Sequence, residues 1–169
     1  MLASLFLIGT LNAQMDEYSI KAAYLYNFSK YVEWPGVTGE EAHTSFVICI
    51  VGEDPFGDTL DQAVSGKTSG DGRVLEVRRL KAVDPPSLRK CEMVFISVSE
   101  KSHATAIREA LKASPVFTVA DFSPFAENGG IANLRIDGTK VRVDLNINAA
   151  NQVNLKISGK LQQVANLVK

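Results

Sequence analysis

Six consecutive apolar residues, Phe46 to Val51, end abruptly in Gly52-Glu53-Asp54-Pro55-Phe56-Gly57. An unbroken apolar run, rich in β-branched residues and closed by turn formers, predicts a strand buried on both faces, the habit of parallel sheets covered by helices. Strand-like runs recur at Val74–Arg79, Met93–Val98 and Val116–Ala120. Between them the pattern predicts a short helix over 58–64, a helical turn around Leu88 after Pro85-Pro86, and a helix from about Ser102 to Ala113. That alternation has the spacing of right-handed crossover units. Upstream, Ile20, Tyr24, Phe28 and Tyr31 recur at three- and four-residue spacing, which predicts an amphipathic helix over Tyr18–Val32. Asp16 and Glu17 suit its positive end, and Pro35 should stop it at Trp34.

From Phe125 the period changes. Ile131–Ile136 and Lys140–Ile147 alternate strictly about Asp137-Gly138, a hairpin signal because that dipeptide tolerates the positive backbone angles of a tight turn. This register points Ala132, Leu134, Ile136, Val141, Val143, Leu145 and Ile147 inward. Asn133, Arg135, Arg142, Asp144 and Asn146 share the opposite face, expected to be solvated. The tail predicts a helical turn at 148–152, an extended Leu155-Lys156-Ile157, and a final helix that Ser158 caps, with Leu161, Val164, Ala165 and Val168 apolar. The expected class is therefore α/β: a three-layer, mostly parallel sheet of about four strands with flanking helices, plus a C-terminal antiparallel hairpin.

With 169 residues and 46% hydrophobic content, the chain suits one domain with a sizeable core. Its 18 basic and 19 acidic residues nearly cancel, leaving no electrostatic footprint for nucleic acid or an anionic membrane. Met1 to Ala13 carries no charge and contains the run Leu2-Ala3-Ser4-Leu5-Phe6-Leu7-Ile8, with a small-residue exit at Asn12-Ala13. That resembles the remnant of a secretory signal, too short to span a bilayer, and makes 14–169 the expected single exported domain. In an oxidising compartment the only two cysteines, Cys49 and Cys91, are expected to form a disulfide. A zinc site is not expected, because neither His43 nor His103 falls at ligand spacing from a cysteine.

Glu53 and Asp54 sit where ligand sites of parallel sheets lie, beyond the carboxyl end of a strand. Ser97 and Asp121 occupy equivalent ends, and Arg142 adds a cation, so these five residues form a candidate ligand crevice. Catalytic signatures fail one by one. There is no Gly-x-Ser-x-Gly elbow, no His-Glu-x-x-His, and no Gly-x-Gly-x-x-Gly after a strand. His103 and Ser102 are helix neighbours that do not face each other. Gly66-Lys67-Thr68 is not a phosphate loop, since Asp61 stands where that motif needs glycine. A phosphate-accepting receiver domain would use the acidic pair, but it needs an aspartate where this chain has Ser97-Val98-Ser99. Glu53-Asp54-Pro55 is therefore expected to form a turn and the first helical residues, their carboxylates complementing the helix dipole. Neither enzymatic activity nor a cofactor is expected.

Several ordered stretches resemble the YfiR family of periplasmic regulatory proteins. They are 21–28 through Trp34-Pro35, then 48–57, then Cys91 before an apolar strand. Thr118-Val119-Ala120-Asp121, Phe125 to Ile131, Asn146 to Ala150, and Leu155-Lys156-Ile157-Ser158 continue the match. The resemblance implies a periplasmic α/β domain that restrains a membrane-bound diguanylate cyclase by contacting its periplasmic part, and so lowers cyclic di-GMP. A second cysteine pair found in some relatives is missing here, so redox control through that pair does not carry over. The expected partner is the periplasmic domain of a membrane sensor, a diguanylate cyclase or a histidine kinase, and a homodimer is compatible with this reading. The expected contact surface combines Gly129, Gly130, Arg135, Arg142, Asp144 and Asn146, glycine permitting close approach. A small-ligand protein using the crevice of Glu53, Asp54, Ser97, Asp121 and Arg142 is the alternative.

Overall fold

The computed structural model describes residues 4–36 and 44–169, so most of the loop expected before the first strand, with His43, lies outside the described residues. The first half comprises α1 Ser4–Tyr31, β1 Val32–Glu33, β2 Ser45–Val51, α2 Thr59–Val64, β3 Val74–Leu80, α3 Pro85–Leu88 and β4 Met93–Ile96. A 3-10 helix, Val98–His103, then leads into α4 Ala104–Leu111 and β5 Phe117–Ala120. The second half comprises β6 Ala132–Asp137, β7 Lys140–Asn146, α5 Ile147–Gln152, β8 Lys156–Ile157, α6 Gly159–Val164 and β9 Asn166–Val168.

The chain forms the expected α/β fold, with a larger sheet. Seven strands run in the order β3-β2-β4-β5-β6-β7-β9, and neighbours are parallel except at the β6–β7 hairpin. The hairpin is not an appendage, because β6 joins β5 through Val119↔Ala132 and Ala120↔Asn133. Strand alternation sorts the core into two layers. Phe46, Ile48 and Ile50, Met93 and Phe95, and Phe117 and Val119 face a core shared with α1, α2, α5 and α6. Val47, Cys49 and Val51, Val94 and Ile96, and Ala120 face a second core with Leu88, Ile107 and Leu111. Coverage on both sides is why these strands carry almost no polar residue. Each fully buried phenylalanine, such as Phe28, Phe46, Phe95 or Phe117, contributes roughly 2 kcal/mol of burial free energy. The Cys49–Cys91 disulfide forms within the second core.

Four expectations need correction. Helix α1 begins at Ser4, so residues 4–13 continue the helix expected from Tyr18. It ends at Tyr31 because Val32-Glu33 leave it to pair antiparallel with Ile157-Lys156. Glu53 and Asp54 are not the first helical residues: Gly57, with φ +52, breaks the chain, and α2 starts only at Thr59. The final helix stops at Val164, and the chain extends again so that Val168 pairs with Asn146 on β7. Among the described residues, no helix is long and apolar enough to cross a membrane.

Candidate functional site

The Asp137-Gly138 turn closes the hairpin, with Gly138 at the positive φ of +62 that such turns need. The register sets Asn133 opposite Asp144 and Arg135 opposite Arg142. Two arginines facing each other would repel, and carboxylates on either side resolve this. Arg135 donates through Nε to both Asp144 oxygens, at 3.1 and 2.9 Å, and its Nη1 lies 3.5 Å from Asp137. These hydrogen bonds and the Asp144 charge raise the pKa of the Arg135 guanidinium. Arg142 reaches the same Asp137 oxygen at 3.9 Å, with 52% of its side chain exposed. Asp144 is buried and also accepts from Asn133 Nδ2 and Asn166 Nδ2, each at 2.8 Å. One carboxylate thus ties together β6, β7 and β9.

The polar face of the hairpin was expected to be solvated, but Asn133, Asp144 and Asn146 are buried. The side chains of Asn133 and Asn146 anchor the segment 121–130 over this face, while Asp144 bonds Asn133, Arg135 and Asn166. Asn133 Oδ1 accepts from the Ala126 amide, Asn146 Nδ2 donates to the Ala126 carbonyl, and Asn146 Oδ1 caps α5 through the Ala149 amide, each at 2.9 Å. Buried polar groups persist when paired in this way. Gly130 packs under Phe125, whose Cε1 would lie 2.2 Å from any added Cβ. Gly129 has φ +92, and an added Cβ would stand 2.5 Å from Arg108 Nη1. Of the six residues expected at the contact surface, Arg142 is the one that is clearly exposed, Arg135 and Gly129 are half-buried, and Gly130, Asp144 and Asn146 are buried, Asp144 holding Arg135.

The strand ends form a different arrangement. Glu53 is exposed, and its amide donates to Ser99 Oγ at 2.9 Å. Asp54 accepts from the Phe56 amide and binds Arg79 Nε at 2.7 Å. Ser97 is buried, its amide bonded to the Val51 carbonyl. Asp121, with only 2% of its side chain exposed, accepts from the Tyr18 hydroxyl at 2.9 Å and lies 3.9 Å from Lys21 Nζ. Lys21, itself buried, also pairs with Glu17 at 2.5 Å. The second carboxylate oxygen of Asp121 is buried without a hydrogen-bond partner. Burial, then the Asp121 charge and hydrogen bond, push the Tyr18 hydroxyl pKa well above its usual range. Arg142 makes no ion pair or hydrogen bond to any of these four residues among the described residues; its carboxylate neighbour is Asp137.

Sequence reasoning missed Tyr18, Lys21 and Asn133. A lysine beside Tyr18, Tyr24 and Leu25 on the helix, with Glu17 one turn earlier, was the available signal for Lys21, since a buried ammonium requires a carboxylate partner. Asn133, an uncharged amide in strict strand alternation, carried no signal for what covers it. Among the described residues, no cluster of histidine, cysteine and carboxylate side chains could hold a metal ion.

Comparison with known proteins agrees with this architecture. No curated protein matches the chain. Among solved structures, a conserved domain protein from Vibrio cholerae O1 biovar El Tor is 14% identical, with a TM-score of 0.55 over 73% of this chain and 55% of that one. The ABC domain in complex with L-Trp from Streptococcus pneumoniae is 11% identical, with a TM-score of 0.54 over 73% of this chain and 55% of that one. The chain thus spans about half the length of each, and at these identities the likeness concerns the fold alone. Residues 18–166 match the family described as YfiR/HmsC-like, nearly the whole of the described domain. The chain belongs to the YfiR/HmsC-like family.

Proposed function

We propose that this protein is an exported, non-enzymatic regulator that restrains a membrane-bound signalling enzyme, a diguanylate cyclase, by contacting its periplasmic domain. Family membership supports the regulatory role, and the Cys49–Cys91 disulfide suits an oxidising compartment. The observation that carries the contact surface is the hairpin tip, where exposed Arg142 and half-buried Arg135 share Asp137 above the buried Asp144 hub. A cation held on a pre-ordered scaffold recognises a carboxylate with little ordering cost. Arg142→Glu should weaken binding to the cyclase's periplasmic domain at least tenfold while leaving the melting temperature unchanged. A pull-down titration with unchanged affinity would sink the assignment of this surface.

A small-ligand reading has one observation in its favour, the unpartnered buried oxygen of Asp121 at a strand end.

A further inference from the structure

Arg108 differs from the better-paired arginines of the fold. Arg73, Arg79 and Arg135 each hold two carboxylates. Arg108, with 32% of its side chain exposed, meets only its chain neighbour Glu109, at 3.7 Å, and Glu109 lies closer to Lys112, at 3.2 Å. Its guanidinium makes no hydrogen bond among the described residues. With no hydrogen bond to a protein acceptor among the described residues and about a third of the side chain exposed, its donors are open to an incoming acceptor.

The surroundings suit an incoming acceptor. Two small clefts, of about 100 and 190 Å³, share Arg108 as a wall. The smaller lies between α4 and the segment 122–128; Lys101, Thr105, Phe122, Ser123 and Asn128 also line it, and no carboxylate does. Lys101 Nζ lies 5.6 Å from the centre of the Phe122 ring, so two cations and an aromatic face converge. Gly129, on the wall of the larger cleft, leaves room for the guanidinium, since an added Cβ would crowd its Nη1. Both volumes fall below the roughly 300 Å³ at which clefts for drug-sized ligands begin, so a single small group fits and a large cofactor does not.

We propose that this cleft binds a carboxylate, which accepts a forked pair of hydrogen bonds from Arg108 while Lys101 adds charge and Phe122 covers the adjoining carbon atoms. The carboxylate belongs either to a free small organic acid or to an acidic side chain of a partner protein. The cleft is separate from the hairpin tip, so this inference stands or falls independently of the regulatory contact.

The test is an amide NMR titration of the full chain at constant ionic strength, with sodium benzoate in one arm and the peptide Ac-Gly-Glu-Gly-amide in the other. At least one probe should shift the amides of Ser123 and residues 125–129 saturably, with a Kd of about 1 mM or tighter. Saturation by benzoate identifies a free acid as the source, and saturation by the peptide identifies a side chain. Arg108→Gln should weaken binding at least tenfold, and Arg108→Lys, which keeps charge but loses the fork, should weaken it less. Arg89→Gln, on an exposed arginine outside the cleft, should leave it unchanged. If Arg108→Gln does not fold, the exposed Lys101→Gln replaces it, with a several-fold loss expected. Absence of saturable shifts with both probes, or a Kd that Arg108→Gln leaves unchanged, would overturn the proposal.

Discussion

The two halves of the sheet solve the same covering problem by different physics. Strands β2, β4 and β5 are apolar on both faces, and helices close over each side through hydrophobic contact. The hairpin β6–β7 is apolar on one face only. Its other face is covered by the segment 121–130, held through the hydrogen bonds of Asn133 and Asn146, while Asp144 ties in Arg135 and β9. Hydrophobic burial tolerates small adjustments, because it is non-directional. A buried polar network does not, since a lost partner leaves a desolvated group unpaired. The base of the hairpin is therefore fixed by directional bonds as well as by apolar contact, and Arg135 is held to it through Asp144.

Perturbations of each half should separate the two mechanisms. The largest loss is expected from Cys49→Ala combined with Cys91→Ala in the parallel half: a separation of 42 residues corresponds to about 4 kcal/mol on the chain-entropy model. Denaturant melts should show the midpoint falling, with binding to the proposed partner retained in whatever protein remains folded. In the hairpin half, Asp144→Ala should cost about 2–3 kcal/mol, since Asn133 and Asn166 lose an acceptor while Arg135 can turn to water. Hydrogen exchange should then rise at β9 and over 121–130 before it rises at β2; a uniform rise would erase the contrast between the halves.

Tyr18→Phe should cost about 1 kcal/mol near pH 7 by removing the bond to Asp121. Because the folded state holds the Tyr18 proton more tightly than the unfolded chain, wild-type stability should fall as pH rises above about 10. Thermal melts of Tyr18→Phe should lose stability less steeply over that range; equal slopes would contradict the assignment of the cluster. The smallest effect on stability is expected at the exposed Arg142→Glu, within about 0.5 kcal/mol of wild type.

The sequence carried the parallel half well, because apolar runs of β-branched residues with turn formers at their ends leave few other structures. It also exposed the Asp137-Gly138 hairpin and the disulfide pairing. It marked the extended Lys156-Ile157 that becomes β8 but did not reveal β1 and β9, two and three residues long, which exist only through their partners. Alternation showed that Asn133, Arg135, Arg142, Asp144 and Asn146 share a face, but a period of two cannot say whether water or a loop covers that face. Glu53 and Asp54 misled for a local reason. An acidic pair before a proline has the appearance of a helix start, whereas the structure uses Asp54 to cap its own turn and to hold Arg79 across the strands. Asp121 was legible as a strand-end carboxylate, but its Tyr18 and Lys21 partners come from a helix about a hundred residues earlier, beyond any local pattern.

The central claim is that the hairpin tip restrains a diguanylate cyclase. The direct measurement is intracellular cyclic di-GMP in a strain lacking this protein, complemented with either the wild-type chain or Arg142→Glu at equal levels of folded protein. Deletion should raise cyclic di-GMP, the wild-type chain should restore it, and Arg142→Glu should not. Unchanged cyclic di-GMP on deletion, or full restoration by Arg142→Glu, would contradict it.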